Sequence, residues 1–210
     1  MRITGGMARG RRIFGPKGGF LRPTSDLVRE AVFQILTVRM EEPWASSRVL
    51  DLFSGTGALG IEALSRGAME VIFADRDKRA LELAVRNLTV CGFLSHARLI
   101  RMDVTRKNRM SGQVLRHGPY RLILADPPYS AGLGARALDW VAEHNCLCEG
   151  GWMVVEAQKG TEMPEFVPIG GEISPGASRQ VAGLEKIDLR LYGQTGVWFY
   201  QYVRQKNSTE

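Results

Sequence analysis

The sequence predicts an α/β fold in which a doubly wound, mostly parallel sheet of seven strands carries helices on both faces. Two observations lead to this prediction. From residue 48 onward, short apolar runs alternate with segments of helical periodicity, as in successive βαβ units. Near the end, residues 187–192 and 197–203 form two further runs separated by four residues, which predicts an antiparallel hairpin at the sheet edge.

The individual elements follow from local signals. A first helix is expected to begin at Ser25 or Asp26, either of which can cap it, and to end before Pro43. The parallel strands are expected at residues 49–53, 71–75, 98–100, 122–125 and 152–155. The helices between and after them are expected at residues 57–65, 78–90 and 135–143.

The net charge of +6 is concentrated at the start of the chain. Six basic residues and no acidic residue precede Asp26: Arg2, Arg9, Arg11, Arg12, Lys17 and Arg22. Removing these six from the 28 Lys and Arg residues leaves 22, which equals the 22 Asp and Glu residues. We therefore expect a basic amino-terminal extension over residues 1–45, with a hairpin or arm and a helix, before a domain over 46–210. The charge favours a polyanionic partner.

The composition excludes several classes of protein. The 210 residues contain no apolar run near the roughly 18 that a membrane span needs, and the first residues lack the apolar stretch of a secretory signal. The three cysteines, Cys91, Cys146 and Cys148, are too few and too irregular for a disulfide framework, which favours the cytoplasm. The scattered histidines and cysteines offer no metal site, so none is expected.

A glycine-rich turn follows the first strand, in the segment DLFSGTGALG at residues 51–60. Gly55, Gly57 and Gly60 satisfy the G-x-G-x-x-G pattern, so a dinucleotide site has to be considered. However, Asp51 would place a carboxylate near the path of a pyrophosphate. Asp75, at the end of the second strand, can bind a ribose diol. A nucleoside with a cationic tail and no phosphate fits both acids, and S-adenosylmethionine is such a molecule.

The segment Asp126-Pro127-Pro128-Tyr129 follows the fourth strand, where ligands bind in wound sheets. An exocyclic amino group needs acceptors for its hydrogens, which the Asp126 carboxylate and the Pro127 carbonyl can supply. Tyr129 offers a ring on which a flipped base can stack. Taken alone, the same tetrapeptide also suits a rigid turn at the end of a buried strand.

These motifs resemble those of a known family. Residues 51–57 resemble the first motif of class I S-adenosylmethionine-dependent methyltransferases, and residues 126–129 resemble the motif of those that methylate planar nitrogens. The segments RPTSDLVRE at 22–30 and LSRGA at 64–68 narrow the resemblance to the RsmD family, which methylates N2 of guanine 966 in bacterial 16S ribosomal RNA. The resemblance extends to LYGQT at 191–195, with a mild departure at Ser54 and Thr56.

The resemblance implies a set of site residues. The cofactor-binding residues would be Arg22, Thr24, Asp51, Phe53, Gly55, Gly57, Asp75, Arg76, Asp103 and Val104. Of these, Asp75 would hold the ribose, Asp103 and Val104 the adenine, and Arg22 and Thr24 would border the methionine end. Asp126, Pro127, Pro128 and Tyr129 would form the catalytic motif. By position alone, Asp103 fits a surface acid equally well.

The implied reaction is an in-line displacement in which guanine N2 attacks the sulfonium methyl and S-adenosylhomocysteine leaves, with no metal. The implied partner is 16S ribosomal RNA, within the small subunit or its assembly intermediates, without a membrane or an obligate protein partner. We expect the RNA backbone to be bound by the basic residues of the extension: Arg9, Arg11, Arg12, Lys17 and Arg22.

Two other functions remain open at this stage. A DNA adenine-N6 methyltransferase also uses Asp-Pro-Pro-Tyr, but such enzymes need a sizeable module to read base edges, and this chain has about 40 residues before the sheet. A non-catalytic RNA-binding assembly factor would explain the basic extension equally well. The acids Asp51, Asp75 and Asp126 favour an enzyme over a non-catalytic assembly factor.

Overall fold

A computed structural model describes residues 1–15, 25–105, 111–129, 132–169 and 181–205 of the chain. Its centre is one eight-stranded sheet in the order β3-β2-β1-β4-β5-β8-β7-β6. The strands are β1 (Arg48–Leu52), β2 (Glu70–Asp75), β3 (Ala97–Arg101), β4 (Tyr120–Ala125), β5 (Leu147–Gln158), β6 (Phe166–Pro168), β7 (Val181–Tyr192) and β8 (Thr195–Gln205).

The sheet is mostly parallel, as the sequence predicts. The pairs that join β3, β2, β1, β4 and β5 are parallel, and β8, β7 and β6 then extend the sheet in antiparallel fashion. The count of seven strands is wrong by one, because β6 adds an edge strand along β7. Its three residues include Pro168, so they show neither the length nor the alternation by which a strand is predicted.

Within the described ranges, five α-helices flank the sheet: α1 (Asp26–Arg39), α2 (Ala58–Ser65), α3 (Lys78–Cys91), α4 (Ser111–Leu115) and α5 (Leu133–His144). Short 3₁₀ turns occur at Trp44–Ser46 and Leu94–His96. The predicted cap of α1 is confirmed, since Ser25 accepts a hydrogen bond from the Val28 N–H. Gly92 ends α3 in the left-handed conformation that glycine adopts without strain.

The core forms two apolar layers, one on each face of the sheet. One layer packs α4 and α5 against residues such as Leu50, Ile123 and Trp198. The other packs α1, α2 and α3 against residues such as Val49 and Leu124. Helices therefore cover both faces, and the edge at the carboxyl ends of the parallel strands is the place left for ligands.

The amino-terminal segment packs on the second layer. Arg2 and Arg12 form an antiparallel bridge that closes a loop, and Ile3, Ala8 and Ile13 are buried in the core. The sequence predicts a hairpin or an arm here, and residues 1–13 form a loop closed by a bridge and packed against the core. None of the helices described is long and apolar enough to cross a membrane.

Candidate functional site

The sheet register brings the predicted acids to one edge. Leu52, at the end of β1, pairs with Ala74 of β2 and with Ala125 of β4. Ala125 in turn pairs with Val155 of β5. The loop after β1 and the Asp-Pro-Pro-Tyr segment after β4 therefore leave neighbouring strands at the same edge.

The loop between β1 and α2 is a tight turn built on left-handed residues. Phe53, Gly55 and Gly57 have φ angles of 57°, 52° and 79°, and Phe53 is one of only two described non-glycine residues with positive φ. Gly60 serves a different purpose. A Cβ there would lie 2.3 Å from the Phe73 ring, so glycine allows α2 to pack directly on β2.

Asp51 is fully buried beneath this turn. Its Oδ2 accepts a hydrogen bond from the Gly60 N–H at 2.9 Å. Burial raises the pKa of Asp51 to about 7, the Gly60 hydrogen bond opposes this, and the nearby charge of Asp75 raises the pKa further. The carboxyl group is therefore poised to ionise near neutral pH, and a cation placed beside it would favour the charged form.

Asp75 is oriented by the backbone on both sides. Its Oδ2 accepts from the Gly55 N–H at 2.9 Å and its Oδ1 from the Asp77 N–H at 2.8 Å. Each carboxylate oxygen has a second lone pair, so the group is fixed in place with acceptor capacity left for hydroxyls. Arg76, next to it, is exposed.

Asp103 follows β3 at the same edge. Its Oδ1 accepts from the Thr105 N–H at 2.9 Å and from the Thr105 hydroxyl at 2.6 Å. Val104 is half-buried and packs on the core. The resemblance assigns Asp103 and Val104 to the adenine. Both lie in a turn that is stabilised by hydrogen bonds between Asp103 and Thr105.

The loop fits S-adenosylmethionine by its donors and acceptors. The Ser54 hydroxyl is buried without a hydrogen-bond partner among the described residues. A Cβ at Gly55 would meet nothing closer than 3.8 Å, so space is open there. Two carboxylates beside that space suit hydroxyls and a cation, whereas a pyrophosphate would be repelled. Within the described ranges, no three His, Cys, Asp or Glu side chains are grouped to hold a metal.

Asn87 is a site residue that the sequence prediction missed. It is fully buried on α3, and its amide donates to the Thr56 carbonyl of the cofactor loop at 2.9 Å and to the Phe14 carbonyl at 3.0 Å. Its Oδ1 accepts from the Phe14 N–H at 2.8 Å. The available signal was an amide on the apolar face of an amphipathic helix.

Glu62, on α2, is the second polar residue that the prediction missed. Its carboxylate is fully buried and accepts from the backbone and hydroxyl of Thr4, the Gly5 N–H, and the guanidinium groups of Arg29 and Arg66. A glutamate inside the otherwise apolar helix ALGIEALS was the signal. Asn87 and Glu62 together fix the amino-terminal segment to the two helices that flank the cofactor loop.

The predicted catalytic motif, residues 126–129, follows the end of β4. Asp126 is half-buried, Pro127 is buried, and Pro128 and Tyr129 are exposed. The three residues 127–129 line a cleft of about 150 Å³ that continues along the start of α5 and the segment after β5. The Tyr129 hydroxyl contacts Thr195 and Glu156. Burial raises the pKa of Tyr129, so its phenol stays protonated at neutral pH.

The predicted RNA-binding residues are only partly described. Arg9, Arg11 and Arg12 are exposed, and Arg11 also donates to the Val90 carbonyl at the end of α3. Lys17, Arg22 and Thr24 lie outside the described residues.

Comparisons with known proteins agree with this geometry. The family model described as conserved hypothetical protein 95 matches residues 1–201. The putative rRNA methyltransferase YlbH of Bacillus subtilis is 33% identical over 201 residues, covering 96% of this chain and 98% of that protein. The ribosomal RNA small subunit methyltransferase D of Escherichia coli K12 is 30% identical over 164 residues, 78% of each chain. The solved structure of the putative methyltransferase yhhF from Escherichia coli has a TM-score of 0.71 at 27% identity, covering 98% of this chain and 99% of that one.

Proposed function

The chain belongs to the conserved hypothetical protein 95 family, the RsmD family of methyltransferases, and from this premise we propose that it methylates the exocyclic N2 of a guanine in bacterial 16S ribosomal RNA. The position, guanine 966, follows from the resemblance. One observation carries the proposal: β1 and β4 are parallel neighbours, so the predicted cofactor loop and Asp126-Pro-Pro-Tyr129 leave adjacent strands at the same edge of the sheet.

S-adenosylmethionine supplies a methyl group that its sulfonium already activates. The protein therefore has to align the acceptor and support the charge that develops on it. The Asp126 carboxylate and the Pro127 carbonyl accept hydrogen bonds from the two N–H groups of N2, which orients the nitrogen lone pair. Attack by N2 on the methyl carbon would break its bond to sulfur and release S-adenosylhomocysteine. The positive charge left on N2 would lie beside Asp126 until a proton passes to solvent water. Tyr129 packs its exposed ring against the guanine.

The cofactor residues divide by the chemistry they offer. Asp75 accepts from the ribose hydroxyls, with Arg76 beside it, and Asp103 with Val104 borders the adenine. Asp51 attracts the ammonium, and the turn at Phe53, Gly55 and Gly57 gives the ligand close access to the backbone. Arg22 and Thr24 border the methionine end on the strength of the resemblance.

The substrate is bound through its backbone as well as its target base. Arg9, Arg11, Arg12, Lys17 and Arg22 contact RNA phosphates, and 16S RNA within the small subunit or an assembly intermediate is the partner. A ribosomal substrate places the protein in the cytoplasm. Residues 1–45 act as the RNA-binding extension of a catalytic domain over residues 46–210, although Ile3, Ala8 and Ile13 also contribute to the shared core.

The test is methyl transfer to small ribosomal subunits taken from a strain that lacks this gene. Purified protein and labelled S-adenosylmethionine are incubated with these subunits, with naked 16S RNA and with plasmid DNA, and labelled RNA fragments are mapped by mass spectrometry. We expect one new N2-methylguanine in 16S RNA. Label in plasmid adenine would indicate the DNA methyltransferase instead. RNA binding without S-adenosylmethionine binding would indicate a non-catalytic assembly factor.

A further inference from the structure

The ring of Tyr129 is exposed while its hydroxyl is anchored. Its relative exposure is 40%, yet the hydroxyl lies 2.8 Å from Thr195 Oγ1 and 3.3 Å from Glu156 Oε1. Both partners are buried, with exposures of 6% for Thr195 and 8% for Glu156. One face of the side chain is thus available to a ligand and its far end is fixed to the protein.

The directions of the two hydrogen bonds follow from the number of hydrogens. A phenol has a single hydrogen, which Tyr129 donates to Glu156 Oε1. The contact with Thr195 can then form only if the threonine hydroxyl donates to the phenol oxygen. Thr195 therefore donates a hydrogen bond to the phenol oxygen, whose own hydrogen is directed to Glu156.

Thr195 is itself held firmly by the sheet. It opens β8, where it pairs with Gln158 at the end of β5 and with Tyr192 at the end of β7. The preceding residue, Gln194, accepts a backbone hydrogen bond from Lys159 at 2.9 Å. Strands on both sides thus fix the hairpin end that contacts the catalytic motif.

We propose that Thr195 is a positioning residue that holds the Tyr129 ring in the orientation in which it receives the target base. This inference rests on the proposed function, in which Tyr129 packs against guanine. A ring ordered in advance does not have to be immobilised when the base arrives. The entropy cost of immobilising the side chain, which is avoided in this way, corresponds to a rate factor of roughly three to ten. Thr195 lies in a segment to which the resemblance assigns no role.

The test compares Thr195→Val, which removes the hydroxyl at similar volume, with Thr195→Ser, which keeps it. We expect Thr195→Val to lower the single-turnover rate of methyl transfer roughly threefold to tenfold, with unchanged affinities for S-adenosylhomocysteine and RNA. Thr195→Ser should recover most of the rate. Because Tyr129→Phe breaks the same hydrogen bond, adding Thr195→Val to it should cost little more. Thr37→Val, which removes an exposed hydroxyl bonded to the Phe33 carbonyl on α1, is the matched control and should not change the rate.

A second measurement does not depend on activity. In protein labelled with ¹³C-tyrosine, Tyr129→Phe identifies the Tyr129 signal among five tyrosines, and relaxation reports the mobility of its ring. We expect Thr195→Val to increase that mobility. Unchanged mobility, or a Thr195→Val rate equal to that of the wild type, would overturn the positioning role. Failure of the wild-type protein to methylate small subunits would instead overturn the proposed function, and the mobility measurement would still decide the role of Thr195.

Discussion

The two halves of the candidate site are built in different ways. The centre of the cofactor half lies within one stretch of chain, β1–α2–β2, where Asp51 bonds Gly60 nine residues away and Asp75 bonds Gly55 twenty residues away. The catalytic half combines distant segments, because Tyr129 contacts Glu156 and Thr195, which are 27 and 66 residues away. Local contacts depend on motif spacing, whereas the distant ones depend on β8 lying beside β5.

Each half also has its own support from outside the motif. The amino-terminal segment supports the cofactor half, through Glu62 on α2 and Asn87 on α3. The carboxyl-terminal hairpin supports the catalytic half through Thr195. If this division holds, substitutions in one half should change cofactor affinity or folding, and substitutions in the other should change methyl transfer alone.

Asp126→Ala is expected to show the largest difference between its effect on methyl transfer and its effect on cofactor affinity. Loss of the carboxylate that is proposed to support the charge on the acceptor nitrogen should abolish detectable turnover, a decrease of at least about 10²–10³-fold. Affinity for S-adenosylhomocysteine, measured by calorimetry, should stay within twofold of the wild type, roughly 0.4 kcal/mol. Full turnover by this variant would contradict the assigned reaction. A parallel loss of cofactor affinity would show that the halves are not separate.

Glu62→Ala should have the largest effect on folding. It removes the buried carboxylate partner of the Arg29 guanidinium, which keeps its ion pair with the more exposed Asp26. Loss of one member of a buried pair costs about 3–5 kcal/mol of unfolding free energy. Urea unfolding measures this loss. The matched control is Glu82→Ala, because Glu82 pairs with Lys78 on the exposed side of α3 and should cost under about 0.5 kcal/mol. Equal effects would mean that the amino-terminal segment does not depend on Glu62.

Asn87→Ala should weaken the cofactor half without changing the catalytic half. The Thr56 carbonyl would lose a buried donor, and we expect affinity for S-adenosylhomocysteine to fall about tenfold, or 1.4 kcal/mol. The rate at saturating cofactor should be nearly unchanged. Thr89→Ala, on the exposed side of the same helix, is the control. An unaltered affinity would limit Asn87 to a structural role.

The buried carboxyl of Asp51 predicts that cofactor affinity depends on pH, with a change about as large as that expected for Asn87→Ala. Its carboxyl, with a pKa of about 7, is mostly neutral at pH 6 and mostly ionised at pH 8, while Asp75 is the neighbouring charge. Affinity for S-adenosylhomocysteine, which keeps its ammonium over this range, should therefore rise about tenfold from pH 6 to pH 8. Asp51→Asn should flatten the profile. The folded state binds this proton more tightly than the unfolded chain, so the contribution of Asp51 to stability falls as pH rises from 3.8 toward about 7.

The smallest effects are expected from single arginines of the extension. Arg9→Ala and Arg12→Ala should each reduce the slope of the logarithm of the RNA-binding constant against the logarithm of salt concentration by about 0.7–0.9. Neither should change cofactor affinity. Arg204→Ala, on β8 and paired with Glu149, should leave the slope unchanged. Point substitutions are preferable to removal of residues 1–17, because Ile3, Ala8 and Ile13 belong to the core. Identical slopes for all three variants would argue against RNA contact by the extension.

Much of the fold could be predicted because its signals are local. Alternating strand and helix patterns predict β1 to β5, and the turn glycines predict the cofactor loop. The sequence did not predict β6 or α4, which are too short to establish a period. It also did not reveal the partners of the motifs. A buried asparagine, glutamate or threonine resembles any polar residue until the packing shows what it contacts.

The place of β8 inside the sheet has a consequence for the timing of synthesis. It is the last of the described strands in chain order, yet it lies between β5 and β7. The chain leaves the ribosome from its amino end, so β1 to β5 can assemble while residues 195–205 are still being added. Until those residues arrive, β7 and β6 have no place in the sheet and Tyr129 has no Thr195. The nascent protein can therefore form its proposed cofactor-binding half first, and the half proposed to receive RNA is complete only after residues 195–205 have been added.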